Sequence, residues 1–291
     1  MSWWFPKVAA TRLAAGRILV GGFAAGYVLA RLPHLLSYAS FNPDLFQPIG
    51  VVSVLGQPLA AALVYVITFA TVFAGIAFAL GYKFRFVGPL FALLLLWTLT
   101  YRNSWRMVFH TENLLVLHVL ILGLAPSADA WSLDARGRAR PAPDGSYGWP
   151  LKAMGAVAVV AYLLAGIAKF RWGTVGWLDG EVLRNLVATD TVRKMLLGSF
   201  YSPVASTMVE WHGAFMAFAI GTVVLELGAP LALLGRRAAA AWVISAIAFH
   251  WGVQLIMMIT FPYPMFGFAF ACFFPVDDWY LRWRARKNPS K

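Results

Sequence analysis

Lys169, His110, Glu112, Glu210 and His212 lie at the ends of otherwise apolar runs, and His118, Glu226 and His250 lie inside such runs. These are the residue types that transfer protons or hold charged groups. An ionisable side chain in hydrocarbon is costly, so its presence marks a proton, ion or substrate contact by default. Arg102 and Arg106 stand next to the same run ends. Guanidinium groups there suit recognition of an anion such as a carboxylate. Each residue also has a plainer reading. A lone histidine on an apolar helix makes one interhelical hydrogen bond. Glu112 satisfies first-turn amides at a helix start. Glu226 pairs with a neighbouring span, and Lys169 snorkels to the interface. His110 and His118 are eight residues apart, which on one helix places them within about 80° of a common face. That spacing is too loose for a tight metal site, so no metal is expected. Two histidines on facing helices can ligate a haem, and any pair of the four would serve. A phosphate-binding loop, a dinucleotide fingerprint, a Gly-x-Ser-x-Gly elbow and a His-Glu-x-x-His motif are all missing from the sequence.

The elements that must position these residues follow from composition. The chain has 291 residues, 60% hydrophobic and 12% charged, with a mean hydropathy of +0.70. A soluble domain carries roughly 25% charged residues, so this chain lacks the polar groups to cover a surface in water. Its apolar runs are continuous rather than alternating, which selects helices over a β-barrel. The sequence predicts an all-α polytopic integral membrane bundle of about eight transmembrane helices, at residues 13–32, 58–80, 87–101, 107–124, 151–168, 207–234, 238–260 and 263–276. A mixed segment, 169–203, reads as interfacial helices. No internal repeat and no separate soluble domain are visible, so 1–291 reads as a single domain, and matching interrupted spans of the kind that mark transporters are lacking.

The net charge of +12 reads as topology rather than nucleic-acid binding, because the basic residues sit in short loops and the tail. With the N-terminus inside, two thirds of the 24 Lys and Arg residues fall on the inner side, which predicts an N-in, C-in orientation in the cell inner membrane. The outer minority is concentrated: Lys169, Arg102, Arg106, His110, Glu112, Glu210 and His212 converge at one depth, on the periplasmic side. The single cysteine, Cys272, excludes a disulfide framework within the chain. The first residues lack a cleavable signal pattern.

Two segments carry a family resemblance. Trp105, then His110-Thr111-Glu112-Asn113-Leu114-Leu115, then Pro126 and Ala130-Trp131-Ser132-Leu133-Asp134, resemble the HTTM (horizontally transferred transmembrane) family, which is related to the membrane part of vitamin K-dependent γ-glutamyl carboxylase. Tyr162-Leu163-Leu164-Ala165-Gly166-Ile167-Ala168-Lys169-Phe170 with Trp177-Leu178-Asp179-Gly180 resembles the carboxylase's Tyr-x-x-Ala-Gly-x-x-Lys-Leu segment. The resemblance implies that Lys169 is the base that deprotonates a reduced, vitamin K- or menaquinol-like quinone. It places His110, or Thr111 one residue on, near the developing oxyanion. Arg102, Arg106, Glu112, Asn113, Glu210 and His212 then complete a substrate-binding set. A lysine at a membrane edge among arginines is expected to supply a neutral amine as base. Ala168 replaces a second lysine of the animal enzyme, and no large lumenal domain follows the last span, so carboxylation of peptide glutamates is not expected.

The sequence thus leads to a quinol-dependent, carboxylase- or oxygenase-like membrane enzyme whose partners are the lipid bilayer and a lipid-soluble quinone. Two other classes stand beside it. One is a non-catalytic maturation or chaperone partner for an exported peptide or protein client. The other is a haem- or quinone-binding electron-transfer subunit.

Overall fold

The computed structural model describes residues 3–287. It is helical almost throughout, and among the described residues the only β pairing is an isolated antiparallel bridge, Val8 to Asp144. Five helices are long and apolar enough to cross a membrane: Ala10–Ala30 (α1), Ala61–Leu80 (α2), Phe84–Asn103 (α3), the Gly145–Arg171 part of α5 (Gly145–Leu178) and Arg236–Met257 (α8). The chain is an all-α, multi-pass membrane protein. Asn113–Leu124 (α4) and His212–Leu227 (α7) are apolar but have only 12 and 16 residues. At 1.5 Å per residue a 12-residue helix spans roughly 18 Å, against about 30 Å of hydrocarbon. Glu181–Leu196 (α6) and Val276–Lys287 (α9) are the more polar helices.

Three of the eight expected spans depart from continuous helices, each where a backbone breaker interrupts an apolar run. The run 107–124 is helical only from Asn113, because residues 104–112 form an irregular segment that leaves α3 with Arg106 at φ 65°. The run 207–234 holds the end of a short helix, Pro203–Met208, then α7, then a 3-10 turn, Ala229–Leu233, that carries Pro230. The run 263–276 contains no spanning helix. It consists of Pro262–Met265 and Phe268–Phe273, separated by Gly267 at φ 77°. Proline removes a ladder donor and clashes with the preceding turn, and a left-handed residue reverses it. Such backbone survives at membrane depth only where protein buries it. Here Tyr263, Met265, Ala269 and Phe270 are all buried.

The described chain divides into two compact units, 3–154 with 274–287 and Gly155–Phe273. In the first, α1 packs on α2 and α4, and α3 packs between α2 and α4. Small residues permit these approaches. A Cβ on Gly88 of α3 would lie 2.6 Å from the Gly123 carbonyl of α4, and a Cβ on Gly123 equally close to the Gly88 carbonyl. Thr71 and Thr98 hydrogen-bond across α2 and α3 at 2.8 Å. Arg17 of α1 is fully buried and donates to four carbonyls: Phe78 and Ala79 at the end of α2, Ser127 and Trp131. These include last-turn carbonyls that a helix leaves unpaired. In the second unit α7 and α8 pack on α6 and on each other. Val187, Ala205 and Phe215 form one apolar cluster, and Tyr162, Trp242 and Phe270 form an aromatic one.

Candidate functional site

In the first unit, Arg102 occupies the last turn of α3, and Glu112 stands at the start of α4 without a side-chain bond to the first-turn amides, contrary to the plainer expectation for it. The Arg102 Nη1 lies 3.1 Å from Glu112 Oε2, with both side chains buried. The Tyr27 hydroxyl of α1 donates to the other carboxylate oxygen and lies 3.4 Å from Arg102 Nη1. The guanidinium stacks 4.1 Å from the Phe109 ring. Asn103 donates to the Phe109 carbonyl at 2.9 Å and accepts its N–H at 3.1 Å, fixing the turn that carries this ring. A cavity of about 280 Å³ opens between α3 and α4, with Asn103, Phe109, Glu112 and Asn113 in its wall. The Arg102 charge is therefore spent on Glu112, with only Nε buried and unpartnered among the described residues. Arg106 is exposed, 3.4 Å from the Asp44 carbonyl, and His110 is exposed on the turn before α4. His110 and His118 do not share a helix, because α4 starts three residues after His110. His118 is buried and hydrogen-bonds the Met154 carbonyl at 3.1 Å, the structural role open to it from the sequence.

In the second unit, Lys169 of α5 donates to both carboxylate oxygens of Glu226 on α7. Lys169 is 19% exposed and Glu226 5%. The ammonium also sits 5.1 Å from the centre of the Trp177 ring. The expectation of a lysine among arginines is thus corrected in its immediate surroundings: a carboxylate, not a like charge, faces Lys169. One helical turn earlier, Gly166 explains how α7 comes so near. A Cβ there would lie 2.8 Å from Leu227 Cδ2 and 3.0 Å from Glu226 Cβ. One further turn back, the Tyr162 hydroxyl hydrogen-bonds His250 Nε2 of α8 at 2.6 Å, while His250 Nδ1 is buried with no partner among the described residues. Tyr162, Gly166 and Lys169 are spaced by four and three residues, hence on one face of α5. Gly180, at φ 86°, ends the same segment, and a Cβ on it would lie 2.4 Å from the Met216 backbone nitrogen. The motif is a packing and pairing device whose polar ends are Tyr162–His250 and Lys169–Glu226.

Glu210 is exposed. His212 opens α7, half exposed, with Nδ1 2.7 Å from Glu181, which also pairs with Arg184 at 3.2 Å. The eight candidate residues therefore fall into two groups by unit: Arg102, Arg106, His110, Glu112 and Asn113 in the first, Lys169, Glu210 and His212 in the second. The sequence alone assigns no role to Tyr27 or Asn103, and it marks Tyr162 only as part of the family motif, because an aromatic ring or a short amide carries no signal until its partner is known. Arg17 counts among the inner-side charges by sequence, and a guanidinium four residues after the predicted start of a span is the signal of its buried role.

Neither the curated proteins nor the solved structures contain a match to this chain. The family model for the HTTM domain matches residues 5–279 and runs through both units. This multi-pass helical protein, with its Tyr162–Gly166–Lys169 face and its Arg102–Glu112 pair, therefore belongs to the HTTM family.

Proposed function

We propose that this HTTM-family protein is a membrane enzyme, related in its core to the vitamin K-dependent carboxylase, that uses a reduced quinone or a similar lipid-soluble cofactor with Lys169 as the base. The observation that carries the reading is the Lys169–Glu226 pair between α5 and the apolar α7, with Lys169 still partly exposed. The residues at hand fit such a group: an amine open enough to be reached, an indole ring beside it and, on α8, a buried His250 Nδ1 with no partner among the described residues. A reduced quinone supplies an acidic hydroxyl and two reducing electrons when bound. Lys169 receives the hydroxyl proton at Nζ. Its own proton passes first to the Glu226 carboxylate that it already touches, which leaves the amine as the acceptor. The Tyr162–His250 bond holds the α5 face in register. In the first unit, the exposed Arg106 is the candidate for holding an anionic group and His110 for stabilising negative charge, while Arg102 is engaged by Glu112. The same reading sets the site on the extracytoplasmic side of the inner membrane, with both termini in the cytoplasm.

Purified protein in lipid nanodiscs, supplied with reduced menaquinone and oxygen, is the test. Wild type is expected to consume quinol faster than Lys169→Ala by about a hundredfold, the usual worth of a positioned base. Equal rates would remove Lys169 from the chemistry.

A further inference from the structure

The second unit holds an apolar cavity of about 340 Å³ between α6, α7 and α8. Its wall includes Leu183 and Val187 of α6, Phe218 and Leu225 of α7, and Phe249 and Ile256 of α8. The only side-chain hydroxyls in the wall are already satisfied: Thr222 donates to the Ala219 carbonyl and Ser245 to the Ala241 carbonyl, at 2.9 and 3.0 Å. Nothing in the lining calls for a polar ligand. Two of its residues are glycines, Gly221 and Gly252, and a Cβ on either would meet no atom within 4 Å. The room is therefore not a by-product of helices pressed together, as it is at Gly166. The flanks of α7 and α8 expose Ile220, Val224, Ile244 and Leu255, the surface a membrane protein turns to lipid.

One end of the cavity is charged. Met257 is in the wall, and its carbonyl accepts a hydrogen bond from Lys194 Nζ of α6. Lys194 pairs with Asp190 at 2.8 Å and Arg193 pairs with the same carboxylate at 2.7 Å. Two cations share one carboxylate, so this end carries a net positive charge, and the Arg193 side chain is 52% exposed. Lysine and arginine at the end of an interfacial helix attract anionic headgroups.

We infer that this cavity is a binding site for an anionic phospholipid, one acyl chain entering between α7 and α8 and the phosphate resting at Arg193 and Lys194. The site is independent of the Lys169 reading: it uses neither Lys169 nor Glu226, and it stands or falls without any quinol chemistry.

The test uses the full chain in nanodiscs containing a trace of phosphatidylglycerol with a photoactivatable group in its acyl chain, with cross-linked peptides identified by mass spectrometry. Labelling is expected to concentrate on residues 215–225 and 245–257. It should fall about tenfold in Gly221→Leu and Gly252→Leu, the effect of displacing about two buried methylenes. Arg193→Gln should weaken phosphatidylglycerol labelling and leave the phosphatidylcholine analogue unchanged. Unlabelled phosphatidylglycerol should compete and long-chain menaquinone should not. Labelling spread evenly over lipid-facing helices, unaffected by either leucine, or displaced by menaquinone in preference to phosphatidylglycerol would each overturn the proposal. The leucine variants point into open space, and an unchanged thermal midpoint shows that they remain folded.

Discussion

Lys169 and Glu226 hold each other in a setting where neither charge is well hydrated, so the two single substitutions and the double one separate pairing from chemistry. Glu226→Gln leaves the lysine without its counter-charge and is expected to cost about 3 kcal/mol, read as a lower thermal midpoint in detergent. Lys169→Met with Glu226→Leu replaces the pair by apolar volume and should recover most of that loss while quinol consumption stays abolished. A double variant no more stable than the single one would show that the pair is not the dominant contact. Tyr162→Phe removes the partner of His250 Nε2 and should cost about 1 kcal/mol, the usual worth of one interhelical hydrogen bond in a membrane protein. On α6, outside the spans, burial tends to raise the Asp190 pKa, but its bonds and charge interactions with Lys194 and Arg193 win and leave it below the ordinary carboxylate value. A depressed native pKa stabilises the fold above the unfolded value, about pH 4, and that contribution is lost as the pH falls through the native value. The stability gap between wild type and Asp190→Asn should therefore be present at neutral pH and close in acid, as followed by thermal unfolding against pH.

Among the elements, the glycines sort into those that set helix separation and those that do not. Gly88 and Gly123 face each other's carbonyls across α3 and α4, so Gly88→Ala must push rigid backbone apart. The expected cost is about 1–3 kcal/mol, the range for overpacking a tight contact. Gly166→Ala meets the side chains of Leu227 and Glu226, which yield more readily, so its stability cost should be smaller. Its effect on quinol turnover should be larger, since it moves Glu226 relative to Lys169. Gly22 of α1 has nothing within 4 Å of a Cβ, so Gly22→Ala is the control and should be neutral or slightly stabilising. Thermal midpoints for the three variants in one detergent give the ranking. Gly88→Ala behaving like Gly22→Ala would contradict the close α3–α4 contact.

For the molecule as a whole, Arg17 ties α1 to the end of α2 and to the segment that holds Ser127 and Trp131. Removing it takes the side-chain donor from the Ala79, Ser127 and Trp131 carbonyls, at about 1–3 kcal/mol for each that stays out of water. Arg17→Leu should therefore prevent accumulation of folded protein. Arg17→Lys should rescue only in part, because an ammonium does not reproduce the guanidinium fork. Expression monitored by fluorescence size exclusion reads both outcomes. Topology has its own test. With Cys272 replaced by alanine, single cysteines at each end of the chain should be blocked by a permeant thiol reagent and untouched by an impermeant one in intact cells. Labelling of either end from outside would overturn the N-in, C-in orientation.

Composition was enough to place this chain in a membrane, because a polypeptide with so few charged residues cannot clothe itself for water, and the continuity of its apolar runs chose helices over the closed barrel that lipid also permits. The order and types of a few residues also sufficed for the family, since Tyr162, Gly166, Lys169 and Gly180 keep the spacing that one helix face and one turn demand. Long apolar runs translated faithfully into α1, α2, α3, α5 and α8. Runs broken by Pro262, Gly267 or Pro230 did not, because hydropathy reports the preferred solvent of a segment and not whether its hydrogen-bond ladder is continuous. Partnership belonged to the tertiary structure. Glu226 lies 57 positions from Lys169 and Glu112 lies 85 from Tyr27, and no local pattern announces such pairs. They exist because Gly166 lets α7 close on α5 and because α1 brings Tyr27 to the Arg102–Glu112 pair at the junction of α3 and α4, where an unpaired charge would be too costly to bury.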